Sequence, residues 1–515
     1  MEFGFLSVIP PVFALVMVLL TRRVLLSLGA GIIVGAWVLH HEAENTILAG
    51  GSEIISIVSG IFWTQDGINT WELYILFFLV LLGMIAAIIT LLGGTRAFGE
   101  WALARVKTRV GAQLVTAVLG VLIFIDDYFN SLTVGNVSRP LTDRHQISRA
   151  KLAYVVDSTA APICVVTPIS SWGAYIITII GGVLSTHAVA TYEPLQAFLL
   201  IAPMNFYAWL AILLVIAVVV FKLDIGPMKM HERRAQENNQ LVDPSKGEVP
   251  GDNQNLEPVV QGKVGDLVWP IITLVIATVF FMIVTGVQAT EGQAGILDAF
   301  ENTDVAASLL YGGIVSLLVV LALSVRRKVS SQDIGKGLWS GIQSMLPAIY
   351  ILLFAWTIVE IIGALGTGEY LADLISGSMN IGFIPALLFI VAGFVALSTG
   401  TSWGTFGVML PIAGDMAAAT DISLILPALA AVLAGSIFGD HCSPISDTTI
   451  LSSTGAGSHH IDHVMTQLPY ALMVGGLTTA GFLVLGFTGN LLLAFLAISV
   501  LFVMLIFTLM KFRSV

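Results

Sequence analysis

Residues Gly435 to Ser453 read G-S-I-F-G-D-H-C-S-P-I-S-D-T-T-I-L-S-S and lie between two long apolar runs. Two carboxylates, Asp440 and Asp447, share this stretch with a histidine, a proline and a dense set of hydroxyls. A charged residue at the bilayer centre costs about 2.5–3.5 kcal/mol on insertion scales, so these two must face protein, water or an ion, not lipid. The same grammar occurs earlier. Pro162 to Ser171 reads P-I-C-V-V-T-P-I-S-S and Pro444 to Ser453 reads P-I-S-D-T-T-I-L-S-S, which share the pattern P-I-x-x-x-T-x-[IL]-S-S. One aspartate stands upstream of each proline, Asp157 and Asp440. A polar interruption precedes each copy, Phe124 to Asn136 and Ser398 to Gly407. The order of parts indicates a duplicated chain.

With 515 residues, 57% hydrophobic and 11% charged, and a mean hydropathy of +0.93, the chain is far more apolar than the roughly 45–50% of a soluble domain. The expected fold class is an all-α polytopic membrane protein. A core of about 30 Å asks for roughly 20 apolar residues per helix. Eleven candidate spans follow, near 3–20, 24–40, 72–92, 152–184, 195–222, 266–288, 305–325, 338–365, 422–453, 465–487 and 491–512. Runs 110–140 and 381–415 have polar centres where a turn is needed, so they read as re-entrant hairpins. Segment 46–63 reads as interfacial, and 223–265, rich in Pro, Gly, Asn, Gln and charge, as a flexible cytoplasmic linker. The halves are then 1–222, with a first repeat over about 72–222, and 266–515, with a second over about 338–487. No lysine or arginine precedes Arg22, so the first apolar run is expected to stay as a helix.

Threading the spans with the N-terminus outside and the C-terminus in the cytoplasm puts every basic cluster on one side: Arg22/Arg23, Arg96 to Arg109, Arg139 to Lys151, Lys222 to Lys263, Arg326 to Lys336 and Lys511/Arg513. Segments 152–184 and 422–453 then run in opposite directions, so the repeats are inverted. Inverted repeats with broken helices are the architecture of secondary transporters, whose sites lie near the midplane. Pro162 and Pro444 are the expected helix breaks, because proline removes a helical hydrogen bond and clashes with the preceding turn.

The candidate cation, proton or substrate ligands are the hard oxygens around those breaks and hairpin tips: Asp127, Asn130, Asp157, Ser158, Thr159, Thr167 and Ser170 in the first half, and Thr399, Thr401, Ser402, Asp440, Ser443, Ser446, Asp447, Thr448 and Thr449 in the second. Asp157, Asp440 and Asp447 are the expected sodium ligands. A buried carboxylate that holds a proton in one state and a cation in another is sufficient for exchange. Asp126 and Asp127 are adjacent and point about 100° apart on a helix, so both cannot face one ligand. His459, His460 and His463 read as a solvated loop, and Glu360 is ambiguous between site and interface. No zinc spacing is present, no cofactor is expected, and nothing in the charge pattern suggests nucleic acid.

The pattern F-G-D-H-C-S-P-I-S-D-T-T-I-L-S-S, with D-S-T-A-A-P-I-C-V-V-T-P-I-S-S-W-G before it, resembles the NhaC-type sodium/proton antiporter family of the wider ion-transporter superfamily. That resemblance implies a carrier of the bacterial inner membrane exchanging Na⁺ for H⁺. Relatives that couple Na⁺ or H⁺ to amino or carboxylic acids leave a coupled organic-solute carrier as the second reading, with the oligomeric state open. An intramembrane aspartyl protease is a remote third, since no G-x-G-D run occurs. An ATP-driven pump is disfavoured by the missing phosphate loop.

Overall fold

The computed structural model describes residues 3–21, 23–64, 67–124, 127–168, 170–247, 249, 256–290, 295, 299, 302–367, 370 and 380–513. Asp126 lies outside the described residues, as does the side chain of Ser171. The protein is an all-α polytopic membrane protein. Its helices are α1 (Ile9–Thr21), α2 (Val24–Leu39), α3 (Thr46–Phe62), α4 (Thr70–Leu91), α5 (Gly94–Arg105), α6 (Arg109–Leu122), α7 (Asp127–Arg144), α8 (Arg149–Val166), α9 (Ser171–Thr186), α10 (Pro194–Met204), α11 (Phe206–Phe221), α12 (Gly226–Asn238), α13 (Gly265–Ala289), α14 (Val305–Arg326), α15 (Ser331–Ala364), α16 (Ile384–Thr399), α17 (Ser402–Thr420), α18 (Ile425–Cys442), α19 (Asp447–Ala456), α20 (His460–Thr488) and α21 (Leu491–Arg513).

Among the described residues, eight helices are long and apolar enough to cross a bilayer, or nine if α10 and α11, bent by 45° at Asn205, count as one span. The expected spans at 3–20 and 24–40 are present as shorter helices of 13 and 16 residues. The one at 152–184 is divided into α8 and α9. The runs read as hairpins are each divided, 110–140 into α6 and α7 and 381–415 into α16 and α17, and α16 with the turn before it is itself long and apolar enough to cross a bilayer.

The breaks follow one rule. The residue before a proline is pushed out of the helical region into extended backbone. Thr167, before Pro168, has φ −103° and ψ 117°, and Ser443, before Pro444, has φ −85° and ψ 124°. Pro162 is therefore not the first break: α8 runs through it to Val166, because Cys164, Val165 and Val166 are buried and hold the last turn in the core. The matching segments are P-I-S at 168–170 and at 444–446. Ser170 accepts from Gly173 N and Ser446 from Thr449 N, so each serine starts the next helix.

Two apolar bodies make up the molecule. One gathers α8 to α11, α16 to α18, α20 and α21; the other gathers α1, α2, α4 and α13 to α15. Helices α7 and α19 lie at the seam, since Leu132, Ile450 and Leu451 join the second body while Val134 and Ala456 pack with residues of α8. The halves also interlock: α7 of the first packs on α19 of the second, and α17 of the second on α9 of the first.

Helix α18 is the most enclosed span, with 83% of its apolar window buried. Gly435 and Gly439 let it meet α16 backbone to backbone, at Phe389 O and Gly393 O, the small-x-x-x-small contact of membrane helices. Gly135 and Gly455 do the same for α7 and α19: a methyl on either would lie 2.5 Å from backbone of the other helix.

Segment 223–265, read as a flexible linker, starts instead with a docked helix. On α12, Glu232 is buried and accepts from Arg109 Nη2 at 2.6 Å and Ser148 N at 2.8 Å. Lys151 pairs with Asp224 and Lys246 with Asp462, so the segment ties together the starts of α6, α8 and α20. Burial holds His231 of α12 below its ordinary value of 6.5, and its Nδ1 sits 2.8 Å from the Arg234 guanidinium.

Two outcomes follow. Gly439→Val forces α18 off α16 and lowers stability by about 1–3 kcal/mol, read as thermal unfolding of the purified protein. His231 favours its neutral form when docked, so its contribution is complete above 6.5 and is lost as pH falls through the depressed value. Protection factors over 223–247, corrected for the intrinsic pH dependence of amide exchange, should fall as pH is lowered below about 6.5 in the wild type, and less so in His231→Gln.

Candidate functional site

The two breaks and the first hairpin bring the aspartates together from distant parts of the chain. Asp127 opens α7 and Asp447 opens α19, so both occupy first helical turns, where the helix dipole favours a negative charge. Asp440 instead sits in the last turn of α18, and Asp157 lies midway along α8. Asp127, Asp157 and Asp440 are at most 1% exposed and Asp447 is 8% exposed.

Their partners differ, and the difference is informative. Asp157 is saturated. Ser452 Oγ donates to Oδ1 at 3.1 Å, and Thr449 Oγ1 at 3.1 Å and Gln467 Nε2 at 2.6 Å donate to Oδ2. His463 Nε2 is also 3.0 Å from Oδ2. Asp127 accepts from Trp172 Nε1 at 2.7 Å and Thr448 Oγ1 at 2.8 Å. Asp447 accepts from the Tyr128 hydroxyl and from Thr448 N at 2.8 Å. Among the described residues Asp440 makes no hydrogen bond of normal geometry at either oxygen, and Ser446 alone acts on it as a weak side-chain donor. An ionised carboxylate in that condition forfeits most of its solvation, a cost that a proton or a cation would offset. Asp447, Asp157 and Asp127 all act on it electrostatically, so four carboxylates share one dry region.

The other expected ligands divide between joints and site. Asn130 Nδ2 donates to Gly120 O and Ile123 O, closing the end of α6 at the hairpin tip. Thr159 bonds back to Val155 O and Val156 O, and Thr167 to Ile163 O. Ser170 serves Cys164 O and Thr167 O. Thr399 bonds Val395 O, Ser402 bonds Ser436 O, and the carbonyl of Thr401 receives Thr405 Oγ1. Ser443 donates to Leu397 O at 2.8 Å, joining the second break to the second hairpin. Gly400 closes that hairpin at φ +70°, against Ile445 O, a conformation that favours glycine. Ser158 is buried beside a small pocket lined by Tyr207, His441 and Tyr470. Of the expected set, Asp127, Asp157, Asp440, Asp447, Thr448 and Thr449 converge. Glu360 is exposed and stands outside the cluster.

Sequence reasoning placed Ser452 among the hydroxyls of the second break but missed Gln467 and the contact that His463 makes with the cluster. His460 and His463 do not form a solvated loop: α20 starts at His460, and both side chains are buried. His460 spans Pro444 O at 2.7 Å and Ser453 Oγ at 3.2 Å, bracing the second break. The available signal was spacing: His460, His463 and Gln467 recur every three to four residues and share one helix face. Among the described residues no group of three or more His, Cys, Asp or Glu side chains is arranged to hold a metal ion, so Asp157, Asp440 and Asp447 do not by themselves form one ligand set; the other oxygens here are hydroxyls and carbonyls.

The family described as "Na+/H+ antiporter family" matches residues 163–487, which include both broken-helix segments from Ile163 onward. An uncharacterized protein of Haemophilus influenzae is 46% identical over 509 residues, 98% of this chain and 95% of that protein. The malate-2H(+)/Na(+)-lactate antiporter of Bacillus subtilis is 31% identical over 181 residues, 34% of this chain and 37% of that protein. The crystal structure of the Alcanivorax borkumensis YdaH transporter covers 85% of this chain and 89% of its own, at 13% identity and a TM-score of 0.33. With its paired helix breaks and a family match over more than half its length, this chain belongs to the Na+/H+ antiporter family.

Proposed function

We propose that this secondary transporter exchanges Na⁺ for H⁺ by alternating access at the carboxylate and hydroxyl cluster, needing no cofactor. The observation that carries the reading is the orphaned carboxylate of Asp440 at the C-terminal end of α18. Helix C-termini present carbonyl oxygens and a partial negative charge, so this end attracts a cation. Asp447, at a helix start, contributes charge across the break. Asp157 gives the cluster its geometry, because its four partners anchor α8 to α19 and α20. Na⁺ and H⁺ are the cargo: either one neutralises part of the four-carboxylate charge, and binding one disfavours the other. The position of α7 and α19 between the two apolar bodies supports reorientation by movement of one body against the other. In the bacterial inner membrane the basic loops would face the cytoplasm, with the N-terminus outside.

A coupled organic solute is the second reading, supported by the names of relatives. The Bacillus subtilis protein above is a malate and lactate antiporter, and a 104-residue match at 35% identity, covering 20% of this chain and 21% of the relative, is to the arginine/ornithine antiporter ArcD of Halobacterium salinarum.

In proteoliposomes without any organic solute, an imposed Na⁺ gradient should drive H⁺ in the opposite direction. Asp440→Asn should lower that flux roughly 30- to 150-fold, as the loss of about 2–3 kcal/mol of charged interaction implies. Full flux in Asp440→Asn would remove the site. His463→Ala should cost about 1–3 kcal/mol of stability in thermal unfolding by taking one partner from Asp157. His463→Gln, which still carries a donor, should cost less.

A further inference from the structure

A second cluster of charge stands apart from the four aspartates, where α11 ends and α6 begins. A cavity of about 80 Å³ there is lined on its polar side by Arg109, Gln113, Lys151, Lys222, Asp224 and Glu232. Two of the cations are already paired, Arg109 with Glu232 at 2.6 Å and Lys151 with Asp224. Lys222 is exposed and, among the described residues, has no ion-pair partner. Three cations against two carboxylates leave the lining with one positive charge in excess. Gln113 is 6% exposed; its Nε2 donates to Arg109 O at 3.2 Å, while its Oε1 has no donor. A buried amide oxygen in that condition marks a place where a ligand hydroxyl would be gained.

The surroundings select the ligand. A space of about 80 Å³ is that of two or three water molecules, enough for a phosphate or a glycerol but well below the roughly 300–1,000 Å³ of a drug-sized ligand. The rest of the ligand must lie outside, and the flanking surface is apolar. On α6, Val115, Val118 and Leu122 are exposed at i, i+3 and i+7, and on α11 Leu213, Ile216 and Val220 repeat that spacing. The two helices pack on each other, and each exposed row starts beside the charged lining and runs along the span. A zwitterionic headgroup would set its own cation against the excess positive charge, and an inorganic phosphate would leave the apolar rows unused. We propose that the cavity seats the headgroup of one phosphatidylglycerol-type lipid, with its phosphate against Lys222, its glycerol hydroxyls towards Gln113 and its acyl chains on the exposed rows of α6 and α11. Basic pockets between helix ends suit anionic headgroups in this way. Lys151 belongs to α8, and Asp224 and Glu232 to the segment after α11, so the lipid braces the junction on which that segment docks. The site is independent of which cargo is carried.

The test uses the purified full-length protein stripped of lipid in detergent, and reads lipid retention by native mass spectrometry together with thermal unfolding. Phosphatidylglycerol should be retained as a single copy, more tightly than phosphatidylcholine, and should raise the unfolding temperature. Inorganic phosphate and glycerol phosphate, which lack acyl chains, should neither stabilise the protein nor displace the lipid. Lys222→Asn should weaken retention about fivefold; asparagine tolerates the left-handed backbone at that position, φ 54°, so the variant keeps the fold. Lys336→Gln removes the same charge from an exposed position on α15 and should leave retention unchanged. Gln113→Leu should cancel the preference for phosphatidylglycerol over phosphatidic acid, which has no glycerol headgroup. Equal retention of phosphatidylcholine, displacement by inorganic phosphate, equal weakening by the Lys222 and Lys336 variants, or an undiminished preference in Gln113→Leu overturns the proposal.

Discussion

Everything in this structure depends on how backbone is satisfied where a helix stops inside a membrane. Thr167 and Ser443 are forced into extended backbone by the prolines that follow them, and in a medium without water the freed groups need partners from the protein. The chain supplies them locally and from afar. Ser170 and Ser446 start the next helices, Ser443 reaches Leu397 O in the second hairpin, and His460 holds Pro444 O. With the joints satisfied in this way, the carboxylate of Asp440 stands out among the buried groups left without a hydrogen bond of normal geometry, because both of its oxygens are bare.

The contrast between Asp157 and Asp440 gives the site its logic. Both are buried aspartates on long helices of the same body, yet one has partners from two other helices and the other, among the described residues, makes no hydrogen bond of normal geometry. A saturated carboxylate is an anchor, because its charge is already spread over fixed dipoles. An orphaned one is a receptor, because any small cation or proton that reaches it gains what the protein withholds. Placing both within electrostatic reach of Asp127 and Asp447 keeps the cluster short of positive charge. Helices α7 and α19 then carry this cluster along the seam between the two bodies.

Segment 223–265 shows how composition misleads. Its polar, proline- and glycine-containing sequence reads as disordered, but Glu232, Asp224 and Lys246 find charged partners at the starts of α6, α8 and α20. Paired charges of this kind can be buried where isolated ones cannot. The same misreading affected His460 and His463, whose polarity suggested a loop although their spacing suits one face of a helix.

From the amino-acid order alone came the membrane-spanning class, the polar interruptions where helices stop and the four aspartates as the centre of interest, because apolar run length, polar interruption and motif spacing are local properties of a chain. The register of the first break, at Pro168 and not Pro162, was also written there as a second P-I-S, but choosing between two prolines needs knowledge of which turn is held by packing. Only the tertiary structure decided which aspartate is saturated and which is bare. That distinction rests on side chains some 300 residues away, Ser452, His463 and Gln467 meeting Asp157, and contacts over such distances are set by how helices cross, which no local pattern encodes.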